Sequence, residues 1–301
     1  MLDGNRLGLG RHYRRLFGLS RSPEEERPRA RTVCIASGKG GTGKSILATN
    51  LAVSLAARGE RVVLVDFDAG LANAHLLLGL APGHDLSHVL SGEISAQEAL
   101  IEGPHGMRLL SGGVGRHVLA NPTRRELDRL FAALDPLEER FDLVLVDHGA
   151  GLGYATLAHL AAAQSLLLVT NHEVTALSDG YAFFKRAVLV NPGLRVGVCM
   201  NRAPDRAEAD AAWERFRSVS RRFLDREPEW AGWVPWDEAV ARSVARRAPV
   251  VVTEPESRAA LEILRVAGWP PFLGDSPRVA SPADRPASWQ GFFQRARAAL
   301  R

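Results

Sequence analysis

Between about residues 31 and 268 the chain alternates short apolar runs, rich in β-branched residues, with longer stretches whose apolar positions recur at helical spacing. The runs are Thr32–Ala36, Val62–Val65, Met107–Leu110, Leu143–Val146, Leu166–Val169, Val196–Met200 and Trp230–Val234. Hydrophobicity inside them is continuous rather than alternating, the mark of strands covered on both faces. Helical patterns occupy 44–58, 123–138, 174–190, 205–225 and 236–247. Strands and helices in alternation predict an α/β fold: a doubly wound, mostly parallel sheet covered by helices on both faces, with right-handed crossovers, as one domain over 31–268.

The flanks follow other patterns. Residues 1–30 read as a flexible basic extension, and 269–287, which hold five prolines without apolar periodicity, read as an extended linker. In 288–301 an apolar stripe returns: Trp289, Phe292, Phe293, Ala296 and Leu300 fall at i, i+3, i+4, i+7 and i+11, flanked by Arg295, Arg297 and Arg301. So short a helix is marginal alone in water and orders on finding an apolar surface. A Trp/Phe face with an all-basic flank on a proline-rich tether suits an anionic membrane surface. Packing back onto the chain's own core is the other way to cover the same stripe.

Charge sharpens this picture. The net charge is +4, and residues 1–21 alone carry five arginines against Asp3, so positive charge gathers at the chain ends. That suits an anionic surface met through the termini better than a nucleic-acid cleft across the body. No run approaches the roughly 18 uninterrupted apolar residues of a membrane-spanning helix. The first twenty residues have no apolar signal region, so the expected location is cytoplasmic, peripheral at the inner face of the cell membrane. Cys34 and Cys199 lie far apart inside apolar runs and read as buried thiols.

Of 38 basic side chains only Lys39, Lys44 and Lys185 are lysine, and two of these three share the stretch Ser37–Ser45, SGKGGTGKS. Gly38, Lys39, Gly40, Gly41, Thr42, Gly43, Lys44 and Ser45 satisfy G-x-x-x-x-G-K-[ST] directly after a predicted strand and at the start of a predicted helix. Glycines allow the backbone to approach phosphate, the amides converge, and the helix N-terminus favours an anion. Lys44 is placed to meet β- and γ-phosphates and the Ser45 hydroxyl to ligate Mg²⁺. Asp66 and Asp68 end a buried strand beside this loop, where carboxylates need a cation.

A lysine directly after the first glycine resembles the deviant Walker A signature of the MinD/ParA family of ATPases, whose motifs follow here in order across 31–268. The resemblance implies ATP and Mg²⁺ as ligands and a homodimer in the ATP state, with Lys39 reaching the partner's nucleotide. It assigns Asp68 to the attacking water and Asp66 to support of the metal shell. FDLVLVDHGAG (141–151) looks like the Walker B strand and switch II, with Asp147 holding Mg²⁺ through water and Gly149 or Gly151 sensing the γ-phosphate. His148 stands where relatives carry Thr or Ser, and an imidazole is larger and titrates near neutrality. Asn201 occupies the place of an asparagine that hydrogen-bonds adenine, and 234–251 resembles the segment closing the base pocket. Catalysis is then positioning and charge neutralisation by Lys39, Lys44 and Mg²⁺ around Asp68.

MRLLSGGVG, VDHGAGLGYATLAHLAAA and VTNHEVTALSDGYAFFK are similar to the FlhG/FleN branch of flagellar number and placement regulators, whose members, like MinD, end in a membrane-targeting helix. That implies a membrane-binding switch acting on a GTPase or a transcription factor. Residues 1–20 lack the branch's D-Q-A-x-x-L-R element. Two further readings stay open: a partition ATPase meeting DNA through Arg215, Arg217, Arg221 and Arg222, and a slow-hydrolysing nucleotide-dependent scaffold. Against the first, Glu208, Glu214 and Asp225 are at hand to pair those arginines on a solvated face. His84 and His88 read as surface residues, and Trp230, Trp233 and Trp236 as core and pocket-wall packing.

Overall fold

In the computed structural model, residues 30–68, 72–113, 122–273 and 291–300 are described. Most of the basic extension, the linker from residue 274 onward, Trp289 and Arg301 lie outside them. The strands are β1 (Arg31–Ala36), β2 (Val62–Phe67), β3 (Ile101–Glu102), β4 (Arg108–Leu110), β5 (Leu143–His148), β6 (Ser165–Thr170), β7 (Arg195–Ala203) and β8 (Glu229–Pro235). The principal helices are α1 (Lys44–Ala57), α2 (Leu86–Ser91), α3 (Arg124–Leu134), α4 (Tyr154–Ala162), α5 (Val174–Val190), α6 (Arg206–Leu224), α7 (Glu238–Ala245), α8 (Arg258–Val266) and α9 (Phe292–Ala299).

All eight strands join one sheet in the order β3-β4-β2-β5-β1-β6-β7-β8. Every pairing is parallel except β3 with β4 at the edge. Each expected apolar run lies in a strand or overlaps one, and α5 has its expected limits. The pattern expected over 123–138 is broken at Pro136, which separates α3 from the turn Leu137–Arg140. Both sheet faces are buried. Val33, Ile35, Val62 and Leu64 face α1 and α8, while Cys34, Val63, Val65 and Val146 face α3, α4 and α5. The domain also runs further than expected: Trp269 and Phe272, placed by sequence at the start of the linker, are buried.

β1 lies between β5 and β6, where the winding of the sheet reverses, so its C-terminal loop opens into the crevice that such sheets offer to ligands. Parallel register brings Asp66 beside Asp147, Phe67 beside His148, and Ile35 beside Asp147. Carboxylates over eighty residues apart in sequence therefore end at one level, next to the glycine loop.

The C-terminal stripe takes the second of the two covers open to it. Phe292 and Phe293, assigned from the sequence to a lipid surface, are 1% and 0% exposed, with Ala296 and Leu300 buried beside them. Helix α9 packs its apolar face on α3 and α4 and completes the core of that side of the sheet. Its basic flank is engaged as well: Arg297 forms a two-pronged pair with Asp128, and Arg295 donates to the Ala162 carbonyl. The stripe found an apolar surface, and in this structure that surface is the protein's own.

Candidate nucleotide site

The glycine loop is shaped by its neighbours. A Cβ on Gly38 would lie 2.2 Å from the Asp179 carbonyl oxygen of α5, so only glycine lets the loop sit against that helix. Gly43 has φ +83°, and a Cβ there would meet Asn201 Nδ2 at 2.4 Å. Gly40 and Gly41 face open space, which leaves the cradle clear. Around it the loop, the segments at the ends of β2 and β5 (switch I and switch II) and the β7 and β8 ends enclose a cleft of about 1050 Å³.

The two lysines point to different places. Lys44 is buried; its Nζ is 2.5 Å from Asp147 Oδ1 and donates to Ser45 Oγ at 3.2 Å. Lys39 is 42% exposed and leaves its own cleft, donating to Thr175 Oγ1 at 3.1 Å with Glu173 Oε2 at 3.7 Å.

The acids gather as expected. Asp66 accepts the amides of Asp68 and Ala74. Burial, reinforced by the adjacent Asp147 charge, pushes its carboxyl up to about 7. Burial also raises Asp147, opposed by Lys44. The Asp147 Oδ2 atom and the Thr42 hydroxyl are buried without hydrogen-bond partners. Asp68, directly after β2, reaches switch II, its Oδ1 lying 3.1 Å from where a Cβ on Gly149 would stand. Two buried carboxyls with one ammonium, an orphaned oxygen and a hydroxyl at Ser45 form a hard-oxygen donor set short of positive charge. These residues fit Mg²⁺ and a polyphosphate.

At the other end of the cleft, Asn201 Nδ2 donates to the Thr42 carbonyl at 2.7 Å, so this side chain props the glycine loop. The amide keeps its Oδ1 acceptor and its second N–H for a base. Sequence reasoning missed Arg202. Held at φ +58°, it donates to the Gly41 carbonyl at 2.7 Å and lies 4.8 Å over the Trp236 ring. Trp236 is 57% exposed and lines the cleft, while Trp233 is buried and Trp230 pairs with Trp213. A non-glycine left-handed residue was the signal, and sequence does not display it.

His148 is 1% exposed, and burial with the nearby Lys44 charge pushes it down to about 3, so the imidazole is neutral rather than titrating near neutrality. On α6, Arg215, Arg217 and Arg221 are paired with Glu208, Glu214 and Glu227; Asp225, expected among their partners, instead ends the helix at φ +48°. His88 serves the capping box of α2 with Asp85. Cys34 and Cys199 are buried thiols. Among the described residues no helix is long and apolar enough to cross a membrane.

This sheet order, with a glycine loop cradled at its crevice and acids at the ends of β2 and β5, defines a P-loop nucleotide-binding protein of the two-lysine type. Residues 30–191 match the family profile described as an AAA domain. The antiactivator FleN of Pseudomonas aeruginosa is 33% identical over 79% of this chain and 86% of its own length. The flagellum site-determining protein YlxH of Helicobacter pylori is 36% identical over 51% of this chain and 52% of its own. The septum site-determining protein MinD of Pyrococcus horikoshii, solved in complex with Mg-ADP, superposes with a TM-score of 0.67 at 27% identity, covering 79% of this chain and 94% of that one. The chain belongs to the MinD/ParA family of P-loop ATPases and is FleN-like.

Proposed function

We infer that the protein is an ATP-dependent dimerising switch that hydrolyses ATP, binds the inner membrane surface as a dimer and regulates the placement or number of a cellular structure, flagella in the first instance. The observation that carries this reading is the divergence of the two lysines: Lys44 lies inside its own site at Asp147, while Lys39 turns outward onto α5, where a second protomer can be reached. The flagellar assignment draws on the similarity to YlxH, and the ligand assignment on the Mg-ADP complex of the Pyrococcus relative.

On this reading Ser45 and Asp147, with Asp66 behind them, would hold Mg²⁺, which would supply charge neutralisation for phosphoryl transfer to water. Lys44 exchanges Asp147 for the β- and γ-phosphates, and the loop amides orient them. Asp68, set against Gly149, positions the attacking water. Lys39 of each protomer completes the partner's site, so turnover requires the dimer. The α9 helix is seated in this structure and leaves its seat to meet lipid, where two weak helices in a dimer gain from avidity.

The test measures ATP binding, oligomeric state and turnover, with and without anionic liposomes. Lys39→Ala should bind ATP like wild type, stay monomeric and lose turnover by about a hundredfold or more, whereas Asp68→Ala should dimerise without turnover. A Lys39→Ala protein that dimerises and hydrolyses normally defeats the assignment in trans. Dimerisation with negligible wild-type turnover replaces the enzyme by a nucleotide-dependent scaffold, and stimulation by DNA without a lipid effect points to the partition reading.

A further inference from the structure

We propose that His159 couples the two nucleotide switches to the seat of the C-terminal helix, acting as a positioning residue whose unsatisfied imidazole, together with that of His148, keeps the seat releasable. The inference rests on the proposed release of α9 and specifies which residues govern it.

His159 lies on α4 and is 0% exposed. Its ring meets the distal end of each switch strand: Phe67, between Asp66 and Asp68, at 4.6 Å edge-on, and His148, directly after Asp147, at 4.8 Å. The same ring stacks on Phe292 of α9 at 5.3 Å with planes 24° apart, lies 4.6 Å from Phe131 of α3, and meets Phe293 at 6.3 Å. One side chain thus touches a neighbour of each site acid and both phenylalanines of the docked helix. A displacement of Phe67 or His148 when the switch segments close on a ligand cannot leave the Phe292 stack unchanged, because a close-packed interior transmits shifts.

The hydrogen bonding shows why the contact is an imidazole. Both ring nitrogens of His159, and Nε2 of His148, are buried without a partner. A polar group left unpaired in the interior costs more than a made hydrogen bond returns, and unpaired groups in a folded protein call for a reason. Around this frustrated centre the rim of the seat is well made. Glu138, itself buried, accepts the amides of Phe292 and Phe293 at 2.9 and 2.8 Å; Gln294 donates to Asp135; Arg297 pairs with Asp128. Departure of α9 would wet both imidazoles and recover their hydrogen bonds. The rim therefore holds the helix in register while the centre lowers the cost of letting it go. A phenylalanine at 159 would keep the ring contacts and remove that relief.

The experiment is hydrogen–deuterium exchange of the α9 amides in the full chain, with and without Mg²⁺ and a non-hydrolysable ATP analogue, for wild type, His159→Phe and His159→Leu. In wild type the analogue should speed α9 exchange by about tenfold or more, the signature of local opening. His159→Phe should bind the analogue as wild type does, melt at an equal or higher temperature, and keep α9 slowly exchanging in both states. His159→Leu, which lacks both the nitrogens and the flat stack, serves if the phenylalanine does not fit, with the same expected loss of response. A merely structural role would instead lower the melting temperature and speed α9 exchange equally in both states, and that result overturns the proposal. So does a variant whose response to the analogue matches wild type. No response in wild type itself would remove the release of α9, a failure distinguishable from failure of His159 as the coupler.

Discussion

Lys44, Asp66, Asp147 and His148 show how burial rewrites side chains whose identity is plain in the sequence. Two carboxyls share one ammonium in a region closed to water, so Asp66 is driven up to about 7 while Lys44 stays close to Asp147. The imidazole beside them is driven the other way, to about 3, because a cation there would be both desolvated and repelled by Lys44. A folded-state pKa below the unfolded value means that, as pH falls under about 6.5, the unfolded chain takes up a proton the folded chain refuses, and stability is lost. The loss is about 1.4 kcal/mol per pH unit for such a group, from near 6.5 down to the folded value. His148→Thr should therefore gain stability relative to wild type as pH falls from 6.5 to 4, read by denaturant melts of the ligand-free protein. An unchanged difference across that range would mean His148 is hydrated. The gathering of Lys44 and the acids at one loop was legible because the phosphate loop is local in sequence and its glycines announce its backbone. Arg202 was not, because a left-handed φ depends on a β7 irregularity and on partners 161 residues away.

At the scale of elements, the phosphate loop is as much a product of α5 as of its own sequence. Gly38 touches the Asp179 backbone and Gly43 touches Asn201, so the cradle is clamped from two other elements. Gly38→Ala should force the loop off α5. The expected result is loss of measurable nucleotide binding in titration calorimetry, with a destabilisation of about 2 kcal/mol or more from the steric conflict. An alanine variant that binds nucleotide normally would show that α5 can yield. The strands were legible because burial on both faces leaves continuous apolar runs, and α5 because its helical period is sustained. The pattern over 123–138 misled at Pro136, where apolar spacing continues across a residue that ends the helix. Helix α4 escaped notice because its composition, rich in alanine and leucine, carries little contrast between faces.

At the scale of the whole molecule, the last helix completes the core on one side of the sheet. Phe292, Phe293 and Leu300 are fully buried, and burying such a side chain is worth roughly 1.5–3 kcal/mol each. A chain ended after Ala287 therefore loses part of its core: it uncovers Phe131 and His159, and its melting temperature should drop by about 10 °C or more. Lipid binding and stability must be measured on the same truncated protein, and an unchanged melting temperature would mean that α9 contributes nothing to the core. By itself the sequence determined the sheet, the phosphate loop, the pair of lysines and the acids, since these depend on residues near in sequence or on patterns that one environment alone explains. It also determined that 288–301 must cover an apolar stripe. Which surface covers it was decided only by the tertiary structure. An amphipathic helix has the same periodicity over lipid as over α3 and α4, and the meeting of Phe67, Phe131, His148, His159 and Phe292 exists only once distant segments are packed together.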